Sequence, residues 1–160
     1  MALGNLEVGR LSFRSEVKVE IESLENKDLI IRFNSEVIDD LRIKRHGIPA
    51  EKMGGEARQL LAASLATCLC SAFLSILDHV GVEYRRLHGD VTVHTGEDGT
   101  GHLRVDEIKI DLKVEIPKDK DVAEGFRRAE RIIRRGCLMS RSLERGIKVS
   151  YEIKGIEVSS

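Results

Sequence analysis

The chain has 160 residues, 41% of them hydrophobic and 4% aromatic, which fits one ordinary domain spanning residues 1–160. A formal net charge of −1, from 26 basic and 27 acidic side chains, excludes an overall field that would attract nucleic acid or an anionic membrane. The chain has three cysteines, an odd number, and its N-terminal segment shows no secretory signal pattern. Both observations argue against a framework of structural disulfides, so we expect a cytoplasmic protein with free thiols.

Apolar and polar residues alternate over about residues 6–38, which predicts short β-strands joined by tight turns. The alternating apolar side chains are Leu11, Phe13, Val17, Val19, Ile21, Leu29, Ile31 and Phe33. Residues 39–55 mix charges, one proline and three glycines, and this composition predicts a loop that leads into a helix.

An apolar run over residues 60–77 predicts a long central helix over about residues 56–80, ending before Gly81. The run contains four Ser or Thr residues and is followed at once by Asp78 and His79. We therefore interpret this segment as a buried core helix and not as a membrane span.

The second half predicts a β-hairpin over residues 83–116, with a Gly-rich turn at residues 96–101. In the second strand of the hairpin, the apolar side chains expected to face the core stand at odd positions before Asp106 and at even positions after Glu107. One extra residue would cause this change, so a β-bulge is predicted there. A helix is expected over residues 119–135, capped by Asp119 or Asp121. A short helix over residues 137–144 and a strand over residues 146–158 complete the chain, and the strand is marked by alternating Ile147, Val149, Tyr151 and Ile153.

Cys68 lies inside the apolar run, on a stripe of small polar side chains. At 3.6 residues per turn, Ser64, Cys68, Ser71 and Ser75 share this stripe, whereas Cys70 points about 200 degrees away from Cys68. The two neighbouring thiols are therefore expected to face different environments.

Cys137 is the other candidate for thiol chemistry. It follows Gly136 and opens a short predicted helix, whose free N–H groups lower the pKa of a nearby thiol. A two-cysteine redox centre needs one attacking thiolate and one resolving thiol. From spacing alone, however, burial as small hydrophobic side chains is the more common role for such cysteines.

Two segments resemble the OsmC/Ohr family, the osmotically inducible protein C and organic hydroperoxide resistance proteins. Residues 59–68 (QLLAASLATC), preceded by Gly54 and Gly55, are similar to the helix that carries the first cysteine of that family. Residues 137–143 (CLMSRSL) are similar to the segment that carries its second cysteine. The order of strands and helices also agrees over almost the whole chain.

The resemblance implies an α+β fold that forms an intertwined homodimer, with antiparallel sheets wrapped around long central helices. It also implies a thiol peroxidase that reduces organic hydroperoxides to alcohols, without a metal or other cofactor. Cys68 would attack the peroxide and become a sulfenic acid, and Cys137 would condense with it to a disulfide that an external dithiol reduces. Neither nucleic acid nor a membrane is an expected partner.

The chain departs from the family pattern at the start of the central helix. Studied peroxidases of the family have a glutamate ten residues before the first cysteine, and this chain has Arg58 there, followed by uncharged Gln59. The activating arginine of the family would correspond to Arg32, Arg42 or Arg45. A further hypothesis is that Arg58 itself supplies positive charge to Cys68. On an ideal helix the two side chains are separated by a rotation of roughly 80 degrees about the helix axis. Arg45 and Arg58 are therefore the candidate activators.

The remaining expectations concern the substrate, metals and a second function. Gln59, Ser64 and Ser71 are the candidate substrate contacts on the central helix. The five histidines show no metal-ligand spacing, and Cys68 and Cys70 face apart, so no metal site is predicted. The alternative function is a non-catalytic dimer that binds a small apolar ligand and uses its cysteines only for packing.

Overall fold

The structure is a computed structural model that describes residues 16–156 of the chain. It divides into two compact units, Met1–Glu56 and Ala57–Ser160. The fold is mixed α+β with antiparallel sheets, as predicted. Leu11 and Phe13 of the predicted first strands lie outside the described residues.

The first unit contains a small antiparallel sheet. Its strands are β1 (Glu20–Ser23), β2 (Leu29–Arg32) and β3 (Leu41–Ile43), in the order β1-β2-β3, and a 3₁₀ turn follows at Ala50–Lys52. The prediction that residues 39–55 form only a loop is wrong, because β3 pairs with β2 in this stretch. β3 is only three residues long and lies among charged residues, so it shows no alternation long enough to recognise.

Asp28 holds the end of this sheet together. Its side chain is buried, with 3% of the residue exposed. One carboxylate oxygen accepts the backbone N–H groups of Arg45 and His46 at 2.7 and 2.9 Å. The other accepts the Arg42 guanidinium at 2.7 and 3.0 Å and the Asn26 amide at 3.2 Å. These donors hold the pKa of Asp28 well below its ordinary value, the N–H groups of Arg45 and His46 having the largest effect.

We expect Asp28→Asn to destabilise the first unit at neutral pH, because a neutral amide cannot satisfy four donors that now point at a carboxylate. Because the pKa of Asp28 is lower in the folded chain, its contribution to stability is fully present at pH values above its unfolded-state pKa of about 3.9. That contribution is lost as the pH falls towards the folded-state pKa. Urea unfolding at pH 7 and pH 3 measures both effects. The exposed Glu25→Gln is the control, and equal urea midpoints for the two variants at pH 7 would refute the role of Asp28.

The second unit carries the long helices and the hairpin. It contains α1 (Glu56–His79), β4 (Arg86–Glu97), β5 (Leu103–Glu115), α2 (Lys120–Ile133) and α3 (Leu138–Arg145), with the first residue of α1 closing the first unit. His94 pairs with Glu107 and Thr95 with Val105, so Asp106 is the extra residue, and the predicted bulge is confirmed. Asp119 caps α2 by accepting the N–H groups of Asp121 and Val122 at 2.8 and 3.1 Å.

The core of the second unit lies between α1, α2 and the inner face of the hairpin. Phe73, Leu77, Val82 and Ala129 form the buried cluster, against which Leu112 and other half-buried apolar side chains pack. Phe73 and Phe126 contact edge to face, with 5.8 Å between ring centroids. Gly125 permits the close approach of Val82, because a Cβ at that position would lie 2.7 Å from a Val82 methyl group.

Helix α1 is less buried within the chain than the sequence suggested. Only Leu65, Phe73 and Leu77 of α1 are buried, because only one face of the helix packs on the hairpin and α2. By length and composition α1 is the one helix of the described residues that could cross a membrane, a test that core helices of soluble proteins also pass. The other large apolar side chains of the run are half-buried, and its exposed residues are small or polar.

The last predicted strand is also not formed. Residues 146–156, the described part of the predicted strand, pair with no strand among residues 16–156, and Ile147, Val149, Tyr151 and Ile153 are between 56% and 89% exposed. Alternating apolar residues show that one face can be buried, but a strand also needs a neighbour for its backbone hydrogen bonds. Residues 157 and 158 of that prediction lie outside the described residues.

Candidate functional site

The structure brings Cys68 and Cys137 together. Cys68 is half-buried in the middle of α1, and Cys137 is buried at the residue that precedes α3. Each thiol alters the pKa of the other, so the two side chains lie close together, and both cysteines are free thiols. The two cysteines singled out in the sequence therefore form one site, although the chain separates them by two strands and a helix.

Backbone N–H groups of α3 surround the two sulfur atoms. The N–H groups of Met139 and Leu138 lie close enough to act on the Cys68 thiol, whose pKa they lower. The N–H of Ser140 donates to Cys137 Sγ at 3.5 Å. These are free N–H groups of the first helical turn, which favours negative charge on a sulfur atom held there.

The two thiols differ in acidity. Burial raises the pKa of Cys68, and the neighbouring Cys137 raises it further, against the N–H groups of Met139 and Leu138. Burial also acts to raise the pKa of Cys137, but the Ser140 N–H, the Cys68 thiol and the Ser140 hydroxyl outweigh it and hold that pKa below its ordinary value. Cys137 is therefore the more acidic thiol of the pair.

Gly136 sets the backbone that leads into this site. Its φ of +85° lies in the left-handed region, and a Cβ there would lie 2.7 Å from Ser140 Oγ and 3.1 Å from Arg141 Cγ. Any other residue at this position would combine an unfavourable backbone angle with displacement of the Ser140 hydroxyl.

We expect Gly136→Ala to lower the free energy of unfolding by about 1–3 kcal/mol, the typical cost of a non-glycine residue in a strained backbone conformation. Thermal unfolding followed by circular dichroism measures the change. Gly99→Ala is the control, because Gly99 does not have the left-handed φ and a Cβ there would meet no atom within 4 Å. Equal midpoints for the two variants would contradict the strain at Gly136.

Two clefts in the second unit meet at Ser140. One, of about 390 Å³, lies between α1, β5 and α3, and the other, of about 510 Å³, extends towards α2. The wall of the first is mainly apolar and includes Leu61, Leu65, Ile108 and Leu143. The wall of the second is mixed, with apolar side chains such as Phe73 and Phe126 beside the charged side chains of Asp111, Glu130, Arg134 and Glu144. Because Ser140 also contacts Cys137, both clefts adjoin the thiol pair.

The other candidate residues of the central helix differ in exposure and in contacts. Cys70 is half-buried, and burial raises its pKa. Gln59, Ser64 and Ser71 are exposed. Arg58 donates to Thr95 Oγ1 on β4 at 3.3 Å. The ten residues between Arg58 and Cys68 correspond to about 15 Å along the helix axis, so the structure does not bring Arg58 of the same chain to Cys68.

The candidate arginines of the first unit have partners there. Arg32 forms an ion pair with Glu22 at 2.6 Å, and Arg42 forms one with Asp28 at 2.7 Å. The backbone N–H of Arg45 is held by the same carboxylate. Within the described residues, no group of three His, Cys, Asp or Glu side chains could hold a metal ion.

Sequence reasoning missed Ser140 as a member of the site. The signal was present, since a capping pattern has a polar residue three positions after the cap, and Ser140 is in that position relative to Cys137. It was overlooked because cysteine is an unusual cap, Ser, Thr, Asp and Asn being the residues preferred there.

Comparison with known proteins agrees with the geometry. Residues 50–152 match the sequence profile of the family described as OsmC-like protein. No protein of curated function matches the chain.

Three solved structures share the fold. An OsmC-like protein from Mycoplasma pneumoniae has a TM-score of 0.59 and 14% identity, over 81% of this chain and 88% of that one. An OsmC-like protein of unknown function from Vibrio cholerae has a TM-score of 0.62 and 13% identity, over 80% and 93%. A proposed osmotic stress induced and detoxification response protein from Psychrobacter arcticus has a TM-score of 0.56 and 17% identity, over 82% and 90%. At these identities the likeness concerns the fold alone.

Proposed function

Because this chain belongs to the family of OsmC-like proteins, we propose that it is a thiol peroxidase that reduces organic hydroperoxides. One observation carries the proposal. Cys68 and Cys137 interact at the N-terminus of α3, where backbone N–H groups of Leu138, Met139 and Ser140 favour a thiolate. Two interacting free thiols with charge stabilisation are what a two-cysteine peroxidase requires.

The reaction proceeds in two displacements. The Cys68 sulfur attacks the terminal oxygen of the hydroperoxide, the O–O bond breaks, and the alkoxide leaves and takes up a proton to become the alcohol. Cys68 is thereby oxidised by two electrons to a sulfenic acid. The Cys137 thiolate then attacks the Cys68 sulfur, hydroxide leaves and is protonated to water, and the disulfide forms. The sum is one hydroperoxide and two thiols converted to one alcohol, one water and one disulfide.

The Cys137 thiolate has a role before it becomes the resolving nucleophile. Because Cys137 is the more acidic thiol, its thiolate takes the proton of Cys68 as Cys68 attacks and passes it to the leaving alkoxide, so that Cys137 is again a thiolate for the second displacement. The N–H groups of Leu138 and Met139 then stabilise the charge that develops on Cys68. This arrangement supplies activation in a chain that has no carboxylate at position 58 or 59.

The cleft between α1, β5 and α3 suits an organic substrate. Its wall is mainly apolar, so burial of an alkyl or aryl group there favours binding, whereas hydrogen peroxide gains nothing from such a wall. Cumene hydroperoxide is therefore a suitable probe. An external dithiol returns the disulfide to two thiols, a step that a reducing cytoplasm would support.

Mass spectrometry after one equivalent of cumene hydroperoxide tests the proposal. We expect a loss of two hydrogens per chain, a disulfide that maps to Cys68 and Cys137, and one equivalent of the alcohol. Unchanged free thiols would reject the peroxidase. In that case the alternative, an OsmC-like protein that binds a small apolar ligand, would explain the apolar cleft, and saturable binding of an alkyl or aryl alcohol would support it.

We also propose that the protein is a homodimer. Apolar side chains of residues 147–156 are exposed, and most of the apolar α1 is not fully buried within the chain. Exposed apolar side chains clustered along one segment favour an interface, and an extended segment can form backbone hydrogen bonds with a second copy. Light scattering coupled to size exclusion should give twice the chain mass of 17.9 kDa, and a value equal to the chain mass would refute the dimer.

A further inference from the structure

Ser140 makes an unusually complete set of contacts with Cys137. Its hydroxyl oxygen accepts the Cys137 N–H at 2.9 Å and donates to the Cys137 carbonyl oxygen at 3.2 Å. Its own N–H donates to Cys137 Sγ at 3.5 Å. The first and last of these bonds form a reciprocal capping box, in which each residue satisfies the backbone N–H of the other.

The position of Ser140 allows it to govern the orientation of the Cys137 sulfur. Because the capping box fixes both the backbone of Cys137 and its side chain, it determines where Sγ points at the start of α3. The same sulfur must approach Cys68 within bonding distance when the disulfide forms. Ser140 is half-buried and lines both clefts, so it stands between the thiol pair and the space proposed for the organic group.

A serine of the same helix has no such role. The Ser142 hydroxyl donates to the carbonyl oxygen of Leu138 at 2.8 Å, which is an ordinary contact one turn back along the helix. The two serines therefore differ in one respect that matters for the site, which is contact with Cys137. This makes Ser142 a matched control for Ser140.

We propose that Ser140 is a positioning residue that holds the Cys137 sulfur in its reactive orientation and stabilises negative charge on it. The proposal rests on the proposed two-thiol reaction, to which it adds a residue that acts through Cys137. Ser140 takes no proton from the substrate and forms no bond to it. Removal of its hydroxyl loosens the start of α3 and lets the Ser140 N–H drift away from Cys137 Sγ.

The first measurement uses no peroxide, so it is independent of whether the protein is a peroxidase. Cys137 is the only thiol in a Cys68→Ser, Cys70→Ser background, and its alkylation rate by iodoacetamide as a function of pH reports its pKa. We expect Ser140→Ala to raise that pKa by about one unit, which is a tenfold loss of thiolate at a fixed pH below it. Ser140→Thr keeps the hydroxyl and should restore the original profile, and Ser142→Ala should leave it unchanged.

The second measurement separates the two steps of the reaction in the chain with all three cysteines. After mixing with cumene hydroperoxide, Ser140→Ala should slow disulfide closure about tenfold, so that the sulfenic acid accumulates and is trapped by dimedone. Ser140→Thr and Ser142→Ala should close the disulfide at the wild-type rate.

The proposal is overturned if Ser140→Ala, folded by circular dichroism, retains both the wild-type alkylation profile and the wild-type closure rate. An equal slowing in Ser142→Ala would also overturn it, since general helix destabilisation would then explain the effect. If Ser140→Ala does not fold, Ser140→Thr decides, because a folded Ser140→Thr with a raised Cys137 pKa contradicts the role of the hydroxyl. The two proposals can fail separately. If the peroxide does not oxidise the wild-type protein but the Cys137 pKa still depends on Ser140, the peroxidase proposal is rejected and the effect of Ser140 on Cys137 is established.

Discussion

Cys68→Ser is expected to abolish the reduction of cumene hydroperoxide, leaving only the uncatalysed reaction with the remaining thiols. A serine hydroxyl at this position has no thiolate form and cannot be oxidised to a sulfenic acid. Its packing is nearly unchanged, so the stability of the fold should be close to that of the wild type. The measurement is alcohol release under excess peroxide and dithiothreitol.

Cys137→Ser is expected to behave differently from Cys68→Ser. Without the resolving thiol, Cys68 can be oxidised once, but the intramolecular disulfide cannot form, so a sulfenic acid that dimedone traps should appear. Its formation should also be slower than in the wild type, because the Cys137 thiolate no longer accepts the Cys68 proton. Complete disulfide formation within this variant would contradict the pairing.

Cys70→Ser is the matched control for both variants. Cys70 is on the same helix as Cys68 and is also half-buried, but burial is the only resolved influence on its pKa. Activity within twofold of the wild type is therefore expected. A loss in Cys70→Ser comparable to that in Cys68→Ser would mean that the reactive thiol has been misassigned.

Leu77→Ala is expected to cause the largest loss of stability among single core substitutions. Leu77 is 0% exposed and belongs to the cluster with Phe73, Val82 and Ala129, where the end of α1 meets α2. Truncation removes buried methyl groups and leaves a cavity that helices on two sides prevent from closing, which costs about 2–5 kcal/mol. Denaturant unfolding followed by circular dichroism measures the change.

The same substitution at an exposed leucine provides the control. Leu103 is 82% exposed at the start of β5, and Leu103→Ala should change the free energy of unfolding by less than about 0.5 kcal/mol. Equal losses for Leu77→Ala and Leu103→Ala would show that Leu77 is not the centre of the core. Peroxide reduction by folded Leu77→Ala should be retained at low temperature, since Leu77 lies more than two turns of helix from Cys68.

Much of the second unit could be predicted because its residues repeat with the period of the element they form. Residues 60–77 are apolar over five turns of helix, and α1 follows within a residue of the expected bounds. The phase change near Asp106 was sufficient to locate the bulge in β5, since a one-residue shift moves every later side chain to the other face. Each of these patterns lies within one segment, so the element can be predicted from the sequence of that segment alone.

Elements that depend on a neighbour were predicted less well. The three residues of β3 form a strand only because β2 lies alongside. Residues 146–156 have the alternation of a strand but pair with no strand in the part of the chain that the structure describes. Helix α1 is apolar on most sides, yet only Leu65, Phe73 and Leu77 are fully buried. Whether a pattern becomes a paired and buried element depends on what lies beside it, and the local sequence does not contain that information.

The sequence by itself determined the helices, the hairpin and the two cysteines of interest, because helical spacing separates Cys68 from Cys70 and a glycine precedes Cys137 at a helix start. Only the tertiary structure decided that Cys68 lies beside Cys137, that Ser140 is part of their environment, and that the pKa of Cys137 is lowered while that of Cys68 is raised. The physical reason is that acidity depends on burial and on the donors within a few ångströms. Those donors belong to a helix that the chain reaches only after the hairpin and α2, so folding alone places them beside the sulfur atoms.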